Sequence, residues 1–269
     1  MSFVKFGFIG TGNMGGALAR AVCKTVNPKE VLLADMSAVK AQLLANELGC
    51  SYGDNVAVAS SAKFIFLGVK PQVMETTLKS LMPTLEKRND RFVLVTMAAG
   101  IKTAEISEMC GKNYPVIRIM PNTPVSVGKG MILYTASAEV FMDEIGEFCE
   151  ALKHSGRVDR IEEKLIDAAS AVSGCGPAFV YMFCEALADA GVECGLPRHK
   201  ALEYAAQTLS GAAELLLTSG KHPAVLKDEV CSPGGTTIAG VHALEKNGFR
   251  GTAMAAVKAA YEKTKELGK

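Results

Sequence analysis

The chain has 269 residues, enough for one large domain or two small ones, and 49% hydrophobic residues supply an ample core. Its 29 Lys and Arg against 28 Asp and Glu leave a formal net charge of +1 with no run of like charges, which excludes a basic nucleic-acid footprint. No apolar run approaches the roughly 18 residues that span a bilayer, and no export signal precedes the first strand-like run, so a cytoplasmic chain without membrane contact is expected.

The chain opens with the apolar run Phe3–Ile9, and further short β-runs follow at Val31–Ala34, Phe64–Val69, Phe92–Met97, Val116–Met120 and Met131–Thr135. Helical stretches separate them. One starts near Asn13 and is stopped by Asn27-Pro28; another runs from Ser37 to Leu48 before Gly49. This alternation predicts a mainly parallel, doubly wound α/β sheet.

After about Glu162 the β-branched clusters vanish and Ala/Leu-rich segments take over, so the second half is predicted to be all helical. The expected division is a Rossmann domain over 1–162 and a helical domain over 163–269. Pro177 and Pro197 suit first-turn positions, while Gly191, Gly220 and Asn247-Gly248 suit helix ends. The helix Arg198–Ser219 carries more apolar residues than one face needs, which suggests burial by a second subunit.

Eight cysteines, Cys23, Cys50, Cys110, Cys149, Cys175, Cys184, Cys194 and Cys231, are scattered through helical patterns, so most are expected to be reduced, buried thiols. None forms a C-x-x-C pair. The histidines at 154, 199, 222 and 242 are too far apart for a local zinc pattern, and no metal site is expected.

Gly10, Gly12 and Gly15 form G-x-G-x-x-G between the first strand and the first helix, the context a dinucleotide fingerprint requires. Gly10 permits the turn, Gly12 admits the pyrophosphate, and Gly15 lets helix pack on strand. The phosphates would meet N–H groups of Thr11, Gly12, Asn13, Met14 and Gly15 at the helix start. Asp35 ends the second strand at the roughly 20-residue spacing from which a carboxylate reads ribose hydroxyls and repels a 2′-phosphate. NADH is thereby favoured over NADPH, although Met36, Ser37 and Lys40 lie where a phosphate could be held, and a solvated turn residue is the plainer alternative for Asp35. Strand ends at Val69, Lys70 and Pro71, and at Met97, Ala98 and Ala99, should face the same crevice; taken alone, Lys70-Pro71 reads only as a strand stop.

No Ser-His-Asp, Cys-His or paired-carboxylate set is evident, so the cofactor should carry the chemistry. The substrate-site candidate is Ser232-Pro233-Gly234-Gly235-Thr236-Thr237, a Gly-rich turn opening a helix to Lys246, whose N–H groups suit a small carboxylate. On these residues alone, Thr236 or Thr237 could equally cap the helix.

With FIGTGNMG, LGVKP, RIMPNTP (Arg118–Pro124), SGCGPAF (Ser173–Phe179) and LKDEVCSPGGTTIAGVHALE (Leu226–Glu245) in this order, the sequence resembles the Δ1-pyrroline-5-carboxylate reductases of proline biosynthesis. The last stretch is the most discriminating. The resemblance implies a Rossmann domain followed by a helical dimerisation domain, and a dimer or a pentamer of dimers. It implies hydride transfer from NADH or NADPH to the C=N carbon of a cyclic imino acid, giving L-proline. Thr237 would hydrogen-bond the ring nitrogen, while Ser232 and the backbone of Gly234, Gly235 and Thr236 would hold the carboxylate. Asn55 would lie beside the adenosine ribose, and Val69–Pro71 and Met97–Ala99 would line the cofactor. The intertwined dimer so implied would build each site from two subunits. Cys175 stands where the family usually has Ser and Phe179 where Tyr is common, both away from the proposed chemistry.

Two other readings fit a Rossmann start. A 3-hydroxyacid dehydrogenase of the 3-hydroxyisobutyrate type needs a catalytic Lys on the interdomain helix, and Pro177–Gly191 contains none. A non-catalytic NAD(H) sensor would have no need of the SPGGTT loop.

Overall fold

A computed structural model describes residues 4–267. Phe3, where the first predicted strand opens, lies outside them. Residues 4–175 with 260–267 form one compact unit, and Gly176–Ala259 form the other.

The first unit is an eight-stranded sheet in the order β3-β2-β1-β4-β5-β6-β7-β8. The strands are β1 (Val4–Ile9), β2 (Val31–Ala34), β3 (Ser51–Gly53), β4 (Ala62–Leu67), β5 (Val93–Thr96), β6 (Val116–Met120), β7 (Gly130–Ala136) and β8 (Gly156–Arg160). Pairing is parallel except between β6 and β7. The helices α1 (Asn13–Cys23), α2 (Ala38–Leu48), α3 (Asn55–Ser61), α4 (Pro71–Leu85), α5 (Thr103–Cys110), α6 (Met142–Ala151) and α7 (Glu163–Ser173) complete this unit's layers.

Side chains alternate across a strand, so each central strand feeds two cores. Phe6, Phe8, Phe64 and Phe66 lie on one face with residues of α1, α2 and α6. Their rings stack at 5.2 Å for Phe6–Phe64 and 4.5 Å for Phe8–Phe66, within the favourable range for aromatic pairs. Ile9, Ile65, Leu67 and Leu94 lie on the other face with residues of α3, α4 and α5. Two covered faces explain why these strands are apolar throughout.

The second unit holds α8 (Gly176–Glu193), α9 (Arg198–Ser219), α10 (Pro223–Val230), α11 (Thr236–Lys246) and the start of α12 (Phe249–Leu267). Its only buried cluster among the described residues is small: Cys184, Ala188, Ala201 and Ala205. Val180, Tyr181 and Met182 on α8, and Leu202, Tyr204, Leu215 and Leu217 on α9, are exposed.

Several expectations need correcting. The edge strands β3 and β8 were not predicted, because three residues and the charged run GRVDR carry no apolar alternation. The expected strand Phe64–Val69 runs two residues earlier, since Gly68 donates its N–H to Ile9 O (2.7 Å) and turns away. Gly191 does not end a helix. It lies inside α8, where a Cβ would stand 3.1 Å from that of Ala201, so it serves helix packing. Pro197 is the N-cap residue of α9, one position before the first turn. Only Cys110 and Cys184 are buried; Cys194 is exposed and the other five are half-buried. The run Glu163–Glu193, α7 and α8 together, is long and apolar enough by length and composition to cross a membrane, and only 17% of its most apolar window is buried within the chain. An uninterrupted apolar stretch is absent because Ser170, Ser173, Gly174, Gly176 and Pro177 break it, although no charge falls between Asp167 and Glu185.

Candidate active site

Strand register assembles the cofactor-side candidates. Ile9 pairs with Ala34 on one side and Leu67 on the other, and Leu67 pairs with Thr96. The residues that follow, Gly10, Asp35, Gly68 and Met97, therefore leave the carboxyl edge of the sheet side by side, where open α/β sheets bind ligands.

The turn after β1 is built by close backbone approach. Gly10 has φ +95°, a conformation that L side chains avoid, and a Cβ there would stand 2.5 Å from Gly68 O. A Cβ on Gly15 would stand 2.1 Å from Gly10 O. Gly12, by contrast, is exposed, and a Cβ there would meet nothing within 4 Å. It is the N-cap of α1 and no side chain caps that end, so the first-turn N–H groups of Asn13, Met14 and Gly15 lack intrahelical acceptors. Open space in front of such donors, at the positive end of a helix, fits a pyrophosphate.

Asp35 is tied to this loop. Its Oδ2 accepts from Thr11 N (2.7 Å) and Thr11 Oγ1 (3.1 Å), and its Oδ1 accepts from Ser37 N (2.9 Å). Partial burial works against its charge, but the donors from Ser37 and Thr11 and the charge of Lys40 outweigh it and hold the carboxyl below its ordinary pKa. Asp35 thus remains an anion beside the phosphate loop. Asn55, the first residue of α3, follows β3 by two positions, and Ala34 pairs with Gly53, which brings Asn55 to the same edge as Asp35.

The other strand ends are ordered by short-range chemistry. Pro71 opens α4 with Lys70 as N-cap in extended conformation and Val69 half-buried before it. Ala98 is buried and its N–H donates to Thr96 Oγ1 (3.3 Å), with Met97 and Ala99 half-buried on either side.

Sequence reasoning missed the support beneath this segment. Arg118 of β6 is fully buried; its Nη2 donates to Asp167 Oδ1 (2.7 Å) and its Nη1 lies 3.7 Å from Glu163 Oε1. Glu163 also accepts from Thr103 N (2.8 Å) and Thr103 Oγ1 (3.0 Å), at the start of α5. The network ties α7 to the segment that follows Met97–Ala99. A lone arginine in the apolar strand VIRIM was the available signal, because a buried charge needs a partner.

The substrate-side candidates lie in the second unit. Ser232–Gly235 is a tight turn, with Gly235 N donating to Ser232 O (3.0 Å), and Gly234 at φ +68° after Pro233 supplies the left-handed residue of a type II turn. Gly235 is the N-cap of α11, with Thr236 and Thr237 in its first turn and no side-chain cap. The threonines therefore do not cap the helix, which removes the plainer reading of these residues. Ser232, Gly234, Thr236 and Thr237 are all exposed, and the N–H groups of the first turn face no intrahelical acceptor.

A doubly wound sheet with a glycine phosphate turn, an acidic residue at the second strand end and a separate helical unit defines a Rossmann-type, nicotinamide-dependent oxidoreductase. A family model described as pyrroline-5-carboxylate reductase dimerisation matches residues 163–267, and one described as NADP oxidoreductase, coenzyme F420-dependent, matches 5–100. The pyrroline-5-carboxylate reductase of Arabidopsis thaliana is 42% identical over 98% of this chain and 95% of its own length. That of Escherichia coli is 37% identical over 98% of each. Among solved structures, the Plasmodium falciparum pyrroline carboxylate reductase with NADP bound superposes with a TM-score of 0.88 at 34% identity, covering 100% of both chains. The chain belongs to the pyrroline-5-carboxylate reductase family. Its C-terminal helices form a self-association module.

Proposed function

We propose that this chain reduces Δ1-pyrroline-5-carboxylate to L-proline with NADH or NADPH, the last step of proline biosynthesis, in the cytoplasm. The observation that carries the reading is the open phosphate cradle at Gly12 beside Asp35, in a chain whose relatives carry this activity over nearly their full length.

The nicotinamide, when bound, supplies the hydride. The chain's residues hold and orient. Backbone N–H groups from Gly12 to Gly15 receive the pyrophosphate while that of Thr11 is committed to Asp35 (2.7 Å), Asp35 and Asn55 meet the adenosine ribose, and Val69–Pro71 and Met97–Ala99 line the nicotinamide side. Ser232 and the backbone of Gly234, Gly235 and Thr236 hold the substrate carboxylate at the start of α11. The Thr237 hydroxyl sits at the imine nitrogen. A protonated imine is already electrophilic, so alignment of donor and acceptor is the main catalytic contribution and no strong general acid is required.

We place the start of the dimerisation module at residue 163 and infer that its exposed apolar faces are covered by a second copy of the chain rather than by lipid, in a dimer or a pentamer of dimers. Light scattering measures the order of assembly. For the reaction, loss of reduced-nicotinamide absorbance is followed with NADH and NADPH in turn, with pyrroline-5-carboxylate against a 3-oxoacid control. No consumption with the imine overturns the reading. Asp35 predicts that NADH is preferred and that Asp35→Ser narrows or reverses the preference by removing repulsion of the 2′-phosphate. A strongly NADPH-selective wild type would overturn that assignment and point to Ser37 or Lys40.

A further inference from the structure

Thr11 stands between Gly10 and Gly12, at a position of the glycine turn where the fingerprint asks for no particular side chain. Every described residue with a positive φ is a glycine, so Thr11 takes an ordinary backbone conformation and the turn itself has no need of a hydroxyl there. The hydroxyl is nevertheless engaged. Oγ1 donates to Asp35 Oδ2 (3.1 Å), the oxygen that already accepts from Thr11 N (2.7 Å), and both residues are half-buried. An ionised carboxylate has about four acceptor positions, two on each oxygen. Thr11 fills both on Oδ2 and Ser37 N (2.9 Å) takes one on Oδ1, which leaves a single open acceptor, on Oδ1, among the described residues. Rotating the carboxylate plane would break bonds at both oxygens.

We propose, resting on the assignment of Asp35 to the adenosine ribose, that Thr11 is a positioning residue that sets dinucleotide preference. Its hydroxyl holds the Asp35 carboxylate in one orientation, with one acceptor left for one ribose hydroxyl. NADH brings a 2′-hydroxyl that donates to that acceptor. NADPH brings a phosphate in its place, whose negative oxygens meet a carboxylate that cannot turn aside. Thr11 therefore favours NADH and penalises NADPH through the same carboxylate. The backbone N–H of Thr11 is present whatever the side chain, so substitution removes the hydroxyl tether alone.

Dissociation constants for NADH and for NADPH are measured by fluorescence titration of the full-length protein without substrate. The proteins compared are wild type, Thr11→Val, Thr11→Ser, Asp35→Ser and the double variant Thr11→Val with Asp35→Ser. Valine keeps the shape of threonine, Thr11→Ala runs beside it as a second variant without the hydroxyl, and thermal unfolding checks that each protein is folded. Thr11→Val is expected to raise Kd for NADH about two- to tenfold, the effect of one hydrogen bond, and to leave NADPH binding unchanged or tighter. Thr11→Ser, which keeps the hydroxyl, should keep the wild-type ratio of the two constants. In the Asp35→Ser background, Thr11→Val should leave the ratio unmoved, because the two residues act through one contact. If Thr11→Val weakens both dinucleotides equally, or shifts the ratio as much without Asp35 as with it, the proposal is overturned. An unchanged ratio in Thr11→Val and Thr11→Ala beside a shifted one in Asp35→Ser removes Thr11 alone. Unchanged ratios in all three remove Asp35 from the ribose, and Thr11 with it.

Discussion

Gly12 and Gly15 belong to one turn yet should respond differently to an added methyl group. At Gly15 the methyl would stand 2.1 Å from a backbone oxygen, so Gly15→Ala must shift the chain and is expected to cost roughly 1–3 kcal/mol of stability. At Gly12 the methyl enters open space in an ordinary backbone conformation. Gly12→Ala should keep its melting temperature to within about 1 kcal/mol of stability while raising KM for the dinucleotide on the order of tenfold, by blocking the pyrophosphate. Thermal unfolding and initial rates on the two variants separate the cases; equal loss of stability in both would refute the division of roles. Thr237 is tested the same way. Because Gly235 caps α11 and no side chain does, the helix has no use for the Thr237 hydroxyl. Thr237→Val should therefore leave circular dichroism and melting unchanged and lower kcat by on the order of 10- to 1000-fold. An unchanged rate would remove Thr237 from the reaction.

Among the elements, α6 shows how one carboxylate holds a helix to the sheet unit. The Glu144 side chain, 2% exposed, accepts from Arg91 Nε (2.8 Å) and Nη2 (2.9 Å) and from Phe141 N (2.8 Å) at the helix start. Burial raises its pKa, but the Arg91 and Phe141 donors outweigh this and leave it below the ordinary value. A carboxyl depressed on folding stabilises the native state above its unfolded pKa, about 4.3 for Glu, and loses that contribution as pH falls through the lower folded value. Glu144→Gln should cost about 1–3 kcal/mol at neutral pH, towards the lower end because Arg91, 39% exposed, is rehydrated when its partner is neutral. The gap between wild type and variant in thermal unfolding should close at pH values below about 4. A gap that persists in acid would show that shape rather than charge holds α6.

At the scale of the whole molecule, the helical unit buries little within one chain and leaves Tyr181, Met182, Leu202 and Leu217 exposed, an apolar surface suited to a second copy. If that copy also supplies its Ser232–Thr237 loop, two crippled chains should rescue each other. Gly12→Val disables the cofactor turn and Thr237→Val the substrate loop. Co-expressed in equal amounts, random pairing makes about half the dimers mixed, and in each of those one site carries both lesions and the other none. About a quarter of all sites would then be wild type, so activity should exceed that of either parent. Sites built within single chains would each carry one lesion, and the mixture would give no more than the average of its parents.

Local chemistry made much of this protein legible before folding. The glycine spacing after β1, the apolar runs of the central strands and the Ala/Leu-rich second half each follow from constraints on a few neighbouring residues, namely turn geometry, two-sided burial and helical periodicity. The family was legible for the same reason, since SPGGTT and its flanks form one continuous segment. The edge strands β3 and β8 were not, because a strand paired on one side needs no apolar alternation. Gly191 looks like a helix end in sequence and becomes a packing notch only because Ala201 arrives against it. Long-range partners were likewise invisible: Asp35 with Thr11 and Arg118 with Asp167 are joined by the register of the sheet and the packing of its helices. A side chain's type states what partner it needs, and only the tertiary fold decides which residue arrives to meet it.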